Sequence, residues 1–300
     1  MLKIAWSQIY AHPLPMGHRF PMAKYTLLPE QLCYEGTANT DNFFCPPLPP
    51  EALILAVHTA QWWSKLQHQT LTPAEIRATG FPLSADLVLR EITILAGTVL
   101  ATDFARQYGI AMNIAGGTHH AFTDRGEGFC LLNDVAVGAQ YLLDHHHLQR
   151  ILVVDLDVHQ GNGTAQIFRN EPRVFTFSMH GEKNYPLRKE QSDLDIGLPC
   201  GTGDKAYLAQ LQSNLPRLLD LVAPEFVFYI AGVDVLATDK LGKLGLSRAG
   251  CKERDRIVLQ ACRTNRVPVC VSMGGGYSER LADIVEAHAN TYRLAQEIYF

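Results

Sequence analysis

Hydrophobic positions divide the chain into two textures near residue 110. Before that point, apolar residues recur mainly at helical spacing. Glu51–Gln67 and Ala85–Tyr108 predict helices on this basis, with Trp62 and Trp63 in their packing. Leu2–Trp6 predicts a short strand, and Met22–Leu32 a helix interrupted at Pro29. Residues 11–21 (three prolines and a glycine) and 36–50 (four prolines) predict irregular structure. No dense polar cluster falls in this part, which is expected to be scaffold.

Beyond residue 110, solid apolar runs alternate with amphipathic stretches. The runs predict strands over 111–115, 151–155, 173–178, 194–198, 226–231 and 267–272. Helices are predicted over 131–144, 163–169, 204–221, 249–264 and 278–297. Strands buried on both faces and separated by helices imply a parallel sheet built from crossover units. The expected fold class is therefore α/β, a single domain over 1–300. Its first 110 residues are mostly helical, and 111–300 carry the site. The tract His145-His146-His147 is expected to be a solvated helix end, since consecutive helical residues do not face one point.

Four polar clusters directly follow predicted strands. They are Gly116-Gly117-Thr118-His119-His120, Asp157 with His159, Gly232-Val233-Asp234, and Gly274-Gly275-Gly276-Tyr277. In a parallel sheet all strand ends lie along one edge, and ligands bind outside it. The clusters are therefore expected to meet. Asp157 and His159, two apart in extended chain, point to one side. With Asp234 they make three ligands and leave a position open, the pattern of a catalytic zinc site; two carboxylates keep ferrous iron as an alternative. A divalent ion there would acidify water and polarise a carbonyl. His119 and His120 offer a base and an acid, and Asp155 can fix the tautomer of one of them. Tyr277 can donate to an oxyanion. The glycines 274–276, Gly275 and Gly276 included, would let backbone approach a substrate closely. Together these parts describe amide hydrolysis.

Composition narrows the setting. The chain is 47% hydrophobic and 19% charged, with a net charge of -4. No basic field favours direct nucleic-acid binding or an anionic membrane. Seven scattered cysteines without a C-x-x-C pair exclude a disulfide scaffold and a zinc ribbon. No apolar stretch reaches the roughly 20 residues of a membrane span, and the first residues lack a signal-peptide core. A cytoplasmic location is expected.

Five segments together resemble the arginase–deacetylase fold and, within it, the zinc-dependent histone deacetylase-like family. They are GGTHHAFTDRGEGFCLLND (116–134), VVDLDVHQGNG (153–163), TFSMH (176–180), AGVDVLATDKLGKLGLS (231–247) and MGGGYS (273–278). Gln160-Gly161-Asn162-Gly163 and the stretch 239–244 are most similar to class IV members; classes I and II usually carry aspartate at the position of Asn162. The resemblance implies metal ligation by Asp157, His159 and Asp234. It makes His119 and His120 the tandem catalytic histidines, partnered by Asp155 and Asn162, with His120 the proton shuttle. Tyr277 matches the carbonyl-polarising tyrosine, and Gly128, Phe129 and Tyr185 match the acyl-lysine tunnel. A structural potassium ion would use the Asp155 and Ser178 side chains with carbonyls of Asp157, His159 and Met179. The implied activity is removal of acyl groups from lysine side chains of a protein or peptide. Class IV similarity implies long fatty-acyl chains, which would need an apolar channel past the metal. A small-amide deacetylase acting on acetylpolyamines is the alternative and would need an acidic rim. A non-catalytic acyl-lysine reader would show a damaged constellation, and a ureohydrolase would need more ligating aspartates.

Overall fold

The apolar run at 151–155 becomes strand β4 (Ile151–Asp155), with all five residues buried. The computed structural model describes residues 1–300 and places β4 inside one sheet of eight strands. The others are β1 (Lys3–Ala5), β2 (Phe43–Phe44), β3 (Ile110–Asn113), β5 (Val174–Gly181), β6 (Leu194–Leu198), β7 (Phe226–Ile230) and β8 (Val269–Ser272). Their order is β2-β1-β3-β8-β7-β4-β5-β6, and every pairing is parallel. Parallel strands buried on both faces need no polar side of their own, which explains the unbroken apolar runs.

The four strands that precede the polar clusters are neighbours: β3, β8, β7 and β4. Their last residues are in register. Asn113 pairs with Ser272, Ser272 with Ile230, and Ile230 with Asp155. The clusters therefore leave the sheet side by side.

Helices cover the sheet in two groups. One holds α5 (Ala85–Tyr108), α6 (Asp134–His145) and α7 (Asn162–Phe168), with the short α2 (Glu51–Leu55) and α3 (Ala60–Gln67). The other holds α1 (Lys24–Tyr34), α8 (Asp204–Val222), α9 (Arg248–Asn265) and α10 (Leu281–Tyr299). Helix α4 (Pro73–Thr79) stands near the mouth of the site. The long α5 packs on β1, β3, β8 and α6 and is buried around most of its circumference.

Several boundaries differ from the periodicity, each for a local reason. The helix expected over 51–67 is two, because the chain turns at 56–59 to dock His58. The His58 ring donates from Nδ1 to the Phe122 carbonyl (3.0 Å) and accepts the Asn133 N–H at Nε2 (3.0 Å). Helix α1 runs through Pro29. The Tyr25 carbonyl that Pro29 leaves without a helical donor accepts the Trp6 indole N–H at 2.9 Å. Helix α6 starts at Asp134, three residues later than expected, since Asn133 caps it by accepting the Ala136 N–H. Residues 36–50 contain the two-residue edge strand β2. Helix α4 escaped the periodicity, although Thr72 and Glu75 form a capping box before Pro73 and Gly80 ends it in a left-handed conformation. The tract 145–147 is a helix end: His145 and His147 are exposed, and His146 bonds Asp103 at 3.0 Å.

Candidate active site

Asp157 and His159 follow β4, and Asp234 follows β7. One donor atom from each falls within 4.8 Å of the other two, and all three residues are buried. Nδ1 of His159 lies 3.0 Å from Asp157 Oδ1 and 3.1 Å from Asp234 Oδ2. Backbone donors hold the carboxylates: Gly275 N–H reaches Asp157 Oδ2 at 2.7 Å and Val158 N–H reaches Asp234 Oδ1 at 2.9 Å. Burial and the charge of Asp157 push the Asp234 carboxyl up to about 7. Two carboxylates crowded out of water around one imidazole nitrogen concentrate negative charge and lone pairs at one point, a donor set that suits a divalent cation. Gly275 permits this packing, since a Cβ there would collide with the carboxylates of both Asp234 and Asp157.

His119 and His120 lie beside the triad, their ring centres 4.2 Å apart. The His119 ring donates from Nδ1 to Asp155 Oδ2 at 2.7 Å, and the His120 ring donates from Nδ1 to Asn162 Oδ1 at 2.6 Å. Both rings are buried. Burial disfavours charge on His119, but the Asp155 carboxylate outweighs it and holds the ring at about 9. His120 has only an amide as partner. Burial and the rings of His119 and His159 push its pKa well below the ordinary histidine value. Asp155 thus favours the charged form of one imidazole and burial favours the neutral form of its neighbour, with the Nε2 lone pair of His120 available.

Tyr277 closes the group. Its backbone N–H is fixed by Asp239 Oδ2 at 2.6 Å, and its ring sits 6.3 Å from that of His159. Burial and the charges of Asp234 and Asp157 raise the phenol's pKa, so it remains a donor. An internal cavity of about 40 Å³ is lined by His119, His120, Asp157, His159, Gly275 and Tyr277, and by Phe20, Tyr25, Arg90 and Ile94. A wider mouth leads to it past Gly128, Phe129 and Tyr185. Phe129 has φ +68, unusual for a bulky residue, and is held there by its N–H to the Thr79 carbonyl at 2.8 Å. The Tyr185 ring packs edge-on to His120 at 4.9 Å, and its hydroxyl donates to Glu127 Oε2 at 2.6 Å.

Not every expected residue reaches the cavity. Gly276 faces Val233 and His288 instead, where a Cβ would approach them at 2.6 and 3.2 Å. Ser178 and Met179, expected at a potassium ion rather than in the cavity, are buried in β5. Ser178 is the register partner of Asp155, and its hydroxyl pairs with His180 Nδ1 at 2.9 Å.

Other residues matter that periodicity and motif spacing passed over. Asp134 is a buried carboxylate that accepts bonds from Gly117 N–H, Thr118 N–H and the Thr98 hydroxyl, and so fixes the loop that presents His119 and His120. Its signal was an acid directly after a helix cap. Arg254, fully buried, donates to the carbonyls of Leu156 and Gly232, one residue before Asp157 and two before Asp234. The first hundred residues are more than scaffold, because Phe20, Tyr25, Arg90 and Ile94 line the cavity. Nothing local in their sequence marks them for it.

Comparison with known proteins agrees with this geometry. A family model described as histone deacetylase domain matches residues 18–292. An uncharacterised protein of Picosynechococcus is 45% identical over 290 residues, 97% of each chain. Histone deacetylase 2 of Arabidopsis thaliana is 32% identical over 194 residues, 64% of this chain and 50% of that one. The chain thus spans about half the length of that plant relative. The structure of a histone deacetylase homologue in complex with the compound SAHA superposes with TM-score 0.82 at 25% identity, covering 98% of this chain and 82% of that one. A homologue from Aquifex aeolicus gives the same score at 23% identity, a likeness of fold. With its parallel sheet, its buried Asp-His-Asp group and the family match over nearly its whole length, the chain belongs to the histone deacetylase family of metal-dependent hydrolases.

Proposed function

We propose that the chain hydrolyses short-chain acyl-lysine, acetyl-lysine above all, in peptides or proteins, with Zn2+ or Fe2+ held by Asp157, His159 and Asp234. The observation that carries this reading is one cavity lined at once by the His119–His120 pair, by two of the ligand residues and by Tyr277. A pocket that only recognised acyl-lysine would not need a neutral histidine, a charged histidine and a phenol at one carbonyl.

When bound, the divalent ion supplies Lewis acidity toward the acyl carbonyl and a more acidic water. His120, with Nδ1–H committed to Asn162, accepts the proton of the attacking water at Nε2. It then returns that proton to the lysine nitrogen as the amide bond breaks, leaving a carboxylic acid and an amine. His119, held charged by Asp155, stabilises the negative charge that develops beside it. Tyr277 donates its phenol to the carbonyl oxygen as that oxygen gains charge. Phe129 and Tyr185 flank the lysine stem, and burial of the stem's methylenes is worth about 0.8 kcal/mol each. For the potassium ion, the support is that Asp155 and Ser178 face each other across β4 and β5, buried at 3% and 2% exposure.

The size of the cavity favours acetyl over a fatty chain. A water needs roughly 10–15 Å³, so the volume of about 40 Å³ holds about three. Its lining is not purely apolar. Arg90 is part of it, bonded to the Tyr10 carbonyl at 2.8 Å and paired with Glu91. The buried Lys24 ammonium lies 5.1 to 5.5 Å from the ring centres of Phe20, Tyr25 and Tyr277, and burial lowers its pKa to about 8. The long-chain preference suggested by class IV similarity is the reading that this cavity supports less. Acid release from acetyl-, octanoyl- and myristoyl-lysine in one peptide tests this: kcat/KM is expected to fall steadily with chain length. A rise toward myristoyl would contradict it.

A further inference from the structure

The mouth of the cavity carries a charge that the chemistry inside does not require. Arg19 and Arg77 both line it and are exposed, and neither forms an ion pair or side-chain hydrogen bond within the chain. Both are held at the rim by the elements that bear them. The Arg19 guanidinium lies 4.9 Å from the centre of the Phe129 ring, so it stacks on the tunnel wall itself. Arg77 is in α4, whose next residue, Ala78, accepts the Gly128 N–H at 2.9 Å. Lys240, also exposed and without an ion-pair partner, adjoins Leu241 on the other side of the mouth.

No acid lines the mouth, and Glu127 and Asp239, which neighbour lining residues in the chain, are both engaged. Glu127 is held by Arg125 at 2.8 Å and by the Tyr185 hydroxyl at 2.6 Å. The Asp239 carboxylate accepts the N–H groups of Tyr277, Leu241 and Gly242. An entering substrate therefore meets two unpaired guanidinium forks set around a channel. Such forks match carboxylates in bidentate geometry and repel ammonium groups.

Building on the acyl-lysine reading, we propose that Arg19 and Arg77 select acyl-lysines flanked by acidic residues. The same rim disfavours cationic acylamines such as acetylpolyamines, for which a ring of acids would be the fitting mouth. The arginines act on encounter and on placement of the substrate backbone, not on the bond that breaks.

The test uses the full chain loaded with metal and three acetyl-lysine peptides of equal length, with neutral, acidic or basic flanks, alongside N-acetylputrescine. The reading is the ratio of kcat/KM between peptides for each protein, so a general loss of activity in a variant cancels. In the wild type the acidic peptide is expected to exceed the neutral one about fivefold at low ionic strength, the scale of two exposed charge pairs. The basic peptide and N-acetylputrescine fall below the neutral peptide, and salt narrows the spread. Arg19→Gln with Arg77→Gln is expected to bring the ratio close to one, and Arg77→Glu to move the preference toward the basic peptide. An equal or inverted preference in the wild type overturns the proposal, as does a preference unchanged in these variants. Failure to turn over even the neutral peptide would sink the acyl-lysine reading itself.

Discussion

At the scale of single residues, the two histidines differ only in their partners, and the pH behaviour follows from that. In the proposed reaction His120 works as a base, so activity is expected to rise as pH passes through its pKa and the ring loses its proton. Its partner is the Asn162 amide, which orients the ring without adding negative charge. Asn162→Asp would stabilise the charged ring and raise that pKa. The acidic limb of the kcat/KM profile is therefore expected to move to higher pH. An unmoved limb in a folded variant would assign it to another group. Tyr277→Phe is expected to keep metal and fold while losing roughly 10²–10³ in turnover, the scale of one oxyanion donor. A rate near wild type would leave the phenol as packing. Both residues could be picked out in the sequence, because each sits in a short motif just past an apolar run. Asp134 could not, because an acid at a helix start is commonplace, and only the fold turns its carboxylate toward the glycine loop.

At the scale of elements, the tunnel wall depends on a helix that periodicity did not reveal. Helix α4 is too short to show an apolar stripe, yet its carbonyls at Ala78 and Thr79 bind the N–H groups of Gly128 and Phe129. Gly80, at φ +75, ends the helix directly over the Phe129 ring. A Cβ there would lie 2.9 Å from Phe129 Cε1. Gly80→Ala is thus expected to cost about 1–2 kcal/mol in backbone strain and to displace the ring. The measurable result is a raised KM for an acetyl-lysine peptide with metal content unchanged. An unaltered KM, with only the melting temperature lowered, would mean that α4 does not set the wall. The stop and start signals of α4 were present as Thr72-Pro73-Ala74-Glu75 and Gly80, and were legible as caps. Its docking was not, because those hydrogen bonds join residues about fifty apart.

At the scale of the molecule, the site exists because four neighbouring parallel strands end in one row. That convergence was legible, since apolar runs separated by helical stretches force a parallel sheet, and a parallel sheet gathers its strand ends. The cavity lining from Phe20, Tyr25 and Arg90 was not, since these residues come from segments whose local pattern shows only packing. No helix is long and apolar enough to cross a membrane. In the proposed reaction Asp157, His159 and Asp234 hold one divalent ion on which amide hydrolysis depends. The direct measurement is acetate release from an acetyl-lysine peptide by protein stripped with a chelator and then titrated with Zn2+ or Fe2+ while bound metal is counted. Release is expected to be absent in the stripped wild type and to rise to a plateau at one ion per chain, whereas Asp234→Ala binds little metal and shows no plateau. Undiminished release from metal-free protein, or full metal binding and turnover in Asp234→Ala, would contradict it.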